Sequence, residues 1–418
     1  MPFITKFHFD EKDINLLPNK NLKTTNAFTV VIGKNSIGKS RLLGAIINYV
    51  LNEPSLQNKK VIAISNTFYN KFPKIKEEMP NYTKLLPLPT NESISGFGIR
   101  SFYYEEKIID DFINYSENST LNKEFKSNIY MDVKKLVPKL LLKIKGNSRF
   151  IYTNLAQVLN FLKLDNSLRI RLVIKKNLFE KIKEINKNDI KNIDIIKKME
   201  AINYSELSLE ELAYLDPVII DLILLKVIDI FRIYLHDKSL NKKINYRDLS
   251  SGQLAILSMG LALICELEDN STICIDEPEV NLHPQWQEKI ISLIESLSQN
   301  YKNCQFFIAT HSPQIISNLT CPNSYILDLN NNNLKSTIEL RNRSADFQLT
   351  EVFSSPGNNN EYLLRKLLII LNKINCNDIL DNDEKNTIDL VKRIYFENKF
   401  HDNDKVKTLV EVLLDLED

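Results

Sequence analysis

Cysteine is scarce and late in this sequence. Its five cysteines all fall at or after Cys265, and no two form a CxxC pair. That argues against a disulfide framework and a zinc site, and fits a reducing compartment. Net charge is also nearly absent, with 54 Lys and Arg against 53 Asp and Glu, so the whole-chain balance names no partner. A long uninterrupted apolar run is missing. The most apolar segment, "VIIDLILLKVIDIFRIYL", is broken by Asp221, Lys226, Asp229 and Arg232 at roughly helical spacing. It reads as one buried amphipathic helix rather than a membrane span. The opening "MPFITKFHFDEKD" has no apolar core of a leader, so a cytoplasmic protein without a signal peptide is expected. No internal repeat is visible.

What is present is enough chain, 418 residues, for two or three domains. Charge is unevenly spread. Lys123 to Glu200 carries 19 Lys and Arg against 8 Asp and Glu. Such a stretch is either a nucleic-acid-facing module or a solvated helical surface. Apolar strands are expected at "FTVVIG", "VIAIS" (61–65), "STICIDEP" and "CQFFIATHSP". Helices are expected at about Lys39–Leu51, after "LSSGQ", and at "QWQEKIISLIESLSQN". Ser208 with Glu211 forms a capping box, and Pro284 suits a first helical position. "YILDLNNNNLKSTIEL" reads as a hairpin with an Asn-rich turn. Apolar strands alternating with helices imply a parallel α/β core. The predicted layout is a core of residues 1–66 and 246–340, a mainly helical, basic insertion at 67–245, and a helical region at 341–418.

"GKNSIGKS" (33–40) matches G-x-x-x-x-G-K-[ST] between a strand and a helix. In such a loop Gly33 and Gly38 permit a backbone whose N–H groups point at phosphate oxygens. Lys34, Asn35, Ser36, Ile37 and Arg41 complete the candidate nucleotide-binding run. Lys39 would reach the β- and γ-phosphates, and the Ser40 hydroxyl would ligate Mg²⁺. "TICIDEP" ends a strand in two acids: Asp276 to support Mg²⁺, and Glu277 to polarise an attacking water. "FFIATHSP" ends a neighbouring strand at His311, within range of the γ-phosphate. Trp286 reads as packing. "LSSGQ" (249–253) offers hydroxyls, a glycine and free N–H groups at a helix start. That start is expected to lie away from the chain's own phosphate loop, so it suits a neighbouring subunit's nucleotide.

Together and in this order, these elements resemble the ATP-binding-cassette ATPase superfamily. "GKNSIGKS" looks like its Walker A motif, "ICIDEP" like Walker B, "LSSGQ" like the signature, "EPEVNLHP" like the D-loop and His311 like the switch histidine. The fold this implies is a P-loop α/β core with an N-terminal β subdomain, a helical insertion and C-terminal helices. The cofactors it implies are ATP and Mg²⁺. Ser250, Ser251, Gly252 and Gln253 would contact the ATP of the opposite subunit of a homodimer or higher oligomer. Ser251 stands where the signature usually has glycine, and Asn66 stands where the superfamily usually has a Mg²⁺-sensing glutamine.

The insertion is too short and broken for a long coiled-coil arm. "VIAISNTFYNKFP", "GFGIRSFYY" and "DEPEVNLHPQWQ" are most similar to the compact ATPases of prokaryotic anti-phage systems: Septu, retron-associated and OLD-type. This implies an ATP-gated regulator with a separate effector protein such as a nuclease. Asp381 and Asp383 in "ILDNDE" lack the strand pair an in-chain nuclease needs. The alternatives are a DNA-repair or chromosome-maintenance ATPase contacting DNA through residues 123–200, and a module that holds ATP without turnover.

Overall fold

The computed structural model describes residues 3–18, 25–34, 36–56, 58–67, 69–74, 81–86, 108, 111–112, 128–130, 133–185, 190–317, 319–340, 344–351, 356–397 and 400–416. The chain opens with a hairpin, β1 (Lys6–Phe9) and β2 (Lys12–Asn15). The core then begins with β3 (Ala27–Ile32), α1 (Lys39–Asn52) and β4 (Val61–Ser65). β5 (Tyr82–Leu86) and β6 (Asn128–Tyr130) follow. Next come α2 (Val133–Phe161), β7 (Arg169–Ile174), α3 (Lys176–Ile185), α4 (Ile190–Ile202) and β8 (Glu206–Ser208). α5 (Leu209–Ala213), α6 (Pro217–Leu224), β9 (Ile228–Asp237) and β10 (Lys242–Asn245) close this stretch. The core resumes with α7 (Ser251–Glu266), β11 (Thr272–Asp276), α8 (Pro284–Ser298) and β12 (Gln305–Ala309). α9 (Pro313–Ser317), β13 (Ser324–Asp328) and β14 (Asn333–Ser336) complete it. α10 (Ala345–Glu351), α11 (Glu361–Asn375), α12 (Asn382–Phe396) and α13 (Lys405–Asp415) end the chain.

The main sheet runs β14-β13-β3-β12-β11-β4-β5-β6, parallel except for the β13–β14 hairpin. Its central strands are buried along their whole length, as a sheet covered on both faces requires. Alternate residues point to opposite faces. Val30, Ile64, Ile273, Ile275, Phe306 and Ile308 join the core beneath α2, α7 and α8. Val31, Ala63, Cys274, Phe307 and Ala309 pack under α1 and the β1–β2 hairpin. α1 and α7 therefore cover opposite faces. α7 is buried on nearly all sides because α2 lies over it.

Two expectations change. The apolar segment read as one helix is α6 followed by β9. Leu225 closes α6, Lys226 takes φ +62, and the chain leaves as a strand. The charges that looked like a helical polar face instead alternate along β9, where Asp229 and Arg232 face outward and Ile228, Ile230 and Ile233 inward. Helical spacing and a turn between two short elements fit the same pattern over so short a run. The insertion also carries more than helices. β7, β8, β9 and β10 form an antiparallel sheet, and β5 and β6 extend the main one.

Local chemistry behaves as read elsewhere. Ser208 and Glu211 form their capping box, Pro284 sits at the start of α8, and β13–β14 is the Asn-rich hairpin. α11, α12 and α13 pack around their own apolar cluster, including Leu367, Val391 and Val410. Among the described residues, no helix is long and apolar enough to cross a membrane.

Candidate functional site

Strand register assembles the site. Ser65, Asp276 and Ala309 are cross-strand partners, and Ala309 pairs with Val31. The residues just beyond this line lie at the carboxyl edge of one parallel sheet, where α/β folds place their ligands. They are Asn66, Glu277, Thr310 and His311, with the phosphate loop following β3.

The loop closes around its lysine. Gly38 caps α1 at φ +111, a conformation that side chains rarely adopt, and Ser36 takes φ +65. The Lys39 ammonium donates to the Gly33 carbonyl at 2.9 Å and the Lys34 carbonyl at 3.3 Å. Burial lowers its pKa, opposed by Glu277, Asp276 and Glu279. The Ser40 hydroxyl donates to Asp276 Oδ1 at 3.0 Å. Burial lifts the Asp276 carboxyl to about 6; Glu277 and Glu279 add to the rise, and the Ser40 hydrogen bond opposes it.

Glu277 takes φ +51 at the end of β11, while its N–H still donates to Ala309 O at 2.9 Å. A non-glycine residue held there is strained, and such strain clusters at functional sites. The bend brings Glu277 Oε1 to 3.8 Å from His311 Nε2, while His311 Nδ1 lies 3.4 Å from the Lys39 ammonium. Burial first, then the Lys39 charge, lowers the His311 pKa, with Glu277 opposing. The ring is thus held neutral at neutral pH.

Two oxygens, Ser40 Oγ and Asp276 Oδ1, meet here, which suits Mg²⁺, an ion that keeps several waters and takes other ligands from phosphates. Asn66 fits at the margin. Its Nδ2 donates to Pro278 O at 3.0 Å, while its Oδ1 is buried without a partner. A buried orphan acceptor facing this edge is consistent with a bound ion or water.

Of the other candidates, Lys34, Ser36 and Ile37 are exposed in the loop, and Asn35 lies outside the described residues. Arg41 is turned to the hairpin, where it pairs with Asp10 at 2.5 Å. Ser250 caps α7 in a capping box with Gln253 and, like Ser251, is exposed. Gly252 is buried against the loop after Glu277, where an added Cβ would come within 2.7 Å of Asn281 O and 3.2 Å of the Trp286 ring. The structure thus gathers Lys39, Ser40, Asp276, Glu277 and His311 and sets the Ser250–Gln253 turn on the opposite layer. Asp381 is the cap of α12, paired with Glu384. In the basic stretch, Lys198 is held by Asp194 and Asp216, and Lys183 by Glu200. "GFGIRSFYY" lies outside the described residues.

Sequence reasoning missed Glu279. Its Oε1 accepts from the Thr310 hydroxyl and the His311 N–H, both at 2.7 Å. Burial raises its pKa against these bonds, and its Oε2 has no partner. The second acid of "DEPE" was the available sign, but only the fold places it under β12.

The site and sheet define an α/β fold with a phosphate-binding loop at the carboxyl edge of a parallel sheet. The profile of a family described as "AAA domain, putative AbiEii toxin, Type IV TA system" matches residues 102–317, just over half the chain, and the chain belongs to that family. It is 32% identical over 87 residues to the "Retron Ec83 probable ATPase" of Escherichia coli, covering 21% of this chain and 15% of that protein. It is 38% identical over 48 residues to the "Retron Vc95 probable ATPase" of Vibrio cholerae serotype O1 biovar El Tor, covering 12% of this chain and 9% of that one. The chain thus matches only a small part of either relative. The SMC head domain from Thermotoga maritima aligns with 77% of this chain and 91% of its own, at 10% identity and a TM-score of 0.30.

Proposed function

We propose that this protein binds and hydrolyses ATP with Mg²⁺, dimerises on ATP, and regulates a separate effector protein in anti-phage defence. The observation that carries this reading is the meeting of Lys39, Ser40, Asp276, Glu277 and His311 at one sheet edge, with Ser40 hydrogen-bonded to Asp276 and His311 lying between the Lys39 ammonium and Glu277.

In this reading the loop N–H groups and Lys39 hold the β- and γ-phosphates, and Ser40 and Asp276 hold Mg²⁺, which neutralises charge on the phosphate oxygens. Glu277 orients a water in line with the γ-phosphorus and accepts its proton as the bond to the ADP oxygen breaks. Neutral His311 donates to the γ-phosphate from the other side of Glu277. Such catalysis is mostly positioning and charge stabilisation. Exposed Ser250 and Ser251, at the start of α7, offer their hydroxyls to the nucleotide of a second copy, so ATP joins two subunits and hydrolysis separates them. The defence role and a nuclease-like effector rest on the similarity to retron-associated ATPases.

Phosphate release from ATP is the test of activity. Glu277→Gln is expected to slow turnover by about 10²–10⁴-fold while ATP still binds. Turnover unchanged by this substitution excludes Glu277 as the base. Co-purification with the product of the adjacent gene tests the effector; its absence from the purified assembly removes that part of the proposal.

A further inference from the structure

A cavity of about 580 Å³ opens on the antiparallel sheet, away from the phosphate loop. A bulge shapes it. Arg171 of β7 faces Arg232 of β9, but the next residue, Leu172, faces Ile230, so Phe231 is left without a partner. Bulges re-aim side chains. Here the bulge turns both Phe231 and Arg232 outward, and leaves the Phe231 ring 46% exposed. Lys134, in the first turn of α2, donates to the Phe231 carbonyl at 2.8 Å and so ties helix to bulge.

Cations and rings interleave around this opening. The Arg232 guanidinium lies 5.1 Å from the Phe231 centroid, and the Lys243 ammonium 3.9 Å from that of Tyr234. The Arg247 guanidinium lies 5.8 Å from the Tyr246 centroid. Asp248 is the one carboxylate among the described residues that line it, and it accepts from the Asn245 N–H. Lys243 is also paired, with Glu206, at 2.5 Å. Lys134, Arg232 and Arg247 also line the cavity.

A ligand matched to this surface carries repeated negative charge and a flat unsaturated face at short spacing. An acidic peptide supplies the first without the second. In duplex DNA the flat faces are stacked inside the helix. A single strand presents both. We propose that this cavity binds single-stranded nucleic acid, with a base against Phe231 and the flanking phosphates toward Arg232, Lys134 and Arg247. It takes only Lys134 from the basic stretch 123–200. Its floor, Tyr246–Asp248, continues through Leu249 into Ser250, so the strand would lie beside the cap of α7. The assignment is independent of ATP turnover and is tested without nucleotide.

Fluorescence anisotropy of the full chain with a labelled oligothymidylate or oligouridylate of about 12 nucleotides is the experiment. Binding is expected to weaken as salt rises. Phe231→Ala is expected to weaken it about tenfold, and Phe231→Tyr to restore it. Arg232→Glu is expected to weaken binding by at least as much and to flatten the salt dependence. Both positions of substitution are on the solvent face, and unchanged circular dichroism and melting midpoint establish that the variants are folded. Lys175→Glu, on the exposed surface of the basic stretch, is expected to leave binding intact. The proposal is overturned if Phe231→Ala and Arg232→Glu bind like the parent, or if Lys175→Glu abolishes binding instead. It is equally overturned if duplex competes as well as strand, or if only the free mononucleotide binds.

Discussion

Glu279 shows how a single side chain positions another without touching the reacting atoms. It holds the Thr310 hydroxyl and the His311 backbone from beneath, and so fixes where the imidazole stands. Glu279→Ala is expected to lower kcat about tenfold or more, with a smaller change in the KM for ATP, because one misplaced group costs alignment rather than binding. Glu279→Gln keeps an acceptor at Oε1 and removes a buried charge, so it is expected to recover most of the rate. Equal loss in both variants would show that the charge, not the positioning, matters. Gly252 is fixed by space instead of conformation. Gly252→Ala places a methyl against Asn281 O and the Trp286 ring, and is expected to destabilise the fold by about 1–3 kcal/mol, read from a denaturant midpoint. The sequence names Gly252 within its motif. It does not reveal that Asn281, 29 positions later by the numbering, sets the limit on its side chain.

At the scale of elements, the insertion is joined to the core by a buried ion cluster. Glu266, at the end of α7, meets Lys139 of α2 at 2.5 Å, Lys60 before β4 at 3.1 Å and the Thr83 hydroxyl of β5 at 2.9 Å. Burial alone would raise the Glu266 pKa, but Lys139 and Lys60 outweigh it and hold the carboxyl below the ordinary value of 4.5. A carboxyl lowered in the folded state contributes stability above its unfolded pKa, and that contribution is lost as pH falls through the folded value. Acid titration of the parent is therefore expected to show a stability loss below about pH 4.5 that Glu266→Gln lacks. Near neutral pH, Lys139→Met is expected to cost about 3–5 kcal/mol, since it strands part of a buried charge. Equal denaturation midpoints in parent and variant would mean that α2 is held by apolar packing alone.

At the scale of the whole molecule, the phosphate loop and the Ser250–Gln253 turn belong to helices on opposite faces of the sheet. The proposed composite site, built from two copies, is compatible with that separation. Light scattering of Glu277→Gln with ATP and Mg²⁺ is expected to report a dimer or larger species, and the further substitution Ser250→Arg to return it to the monomer. Association that survives Ser250→Arg would remove the signature turn from the interface.

The sequence by itself determined the parts whose physics is local. A strand, a glycine loop and a helix in succession prescribe a phosphate cradle. A strand ending in Asp276 and Glu277 prescribes carboxylates at a sheet edge. Ser208, Pro284 and the Asn-rich turn carry their own caps and hairpin. Tertiary structure decided what depends on distant partners. It placed Glu279 under His311 and laid α7 against α2. It also turned the second half of "VIIDLILLKVIDIFRIYL" into a strand, because β7 and β10 offered β9 backbone partners on both edges. Apolar spacing records which residues seek burial; only the assembled fold supplies the surface that buries them.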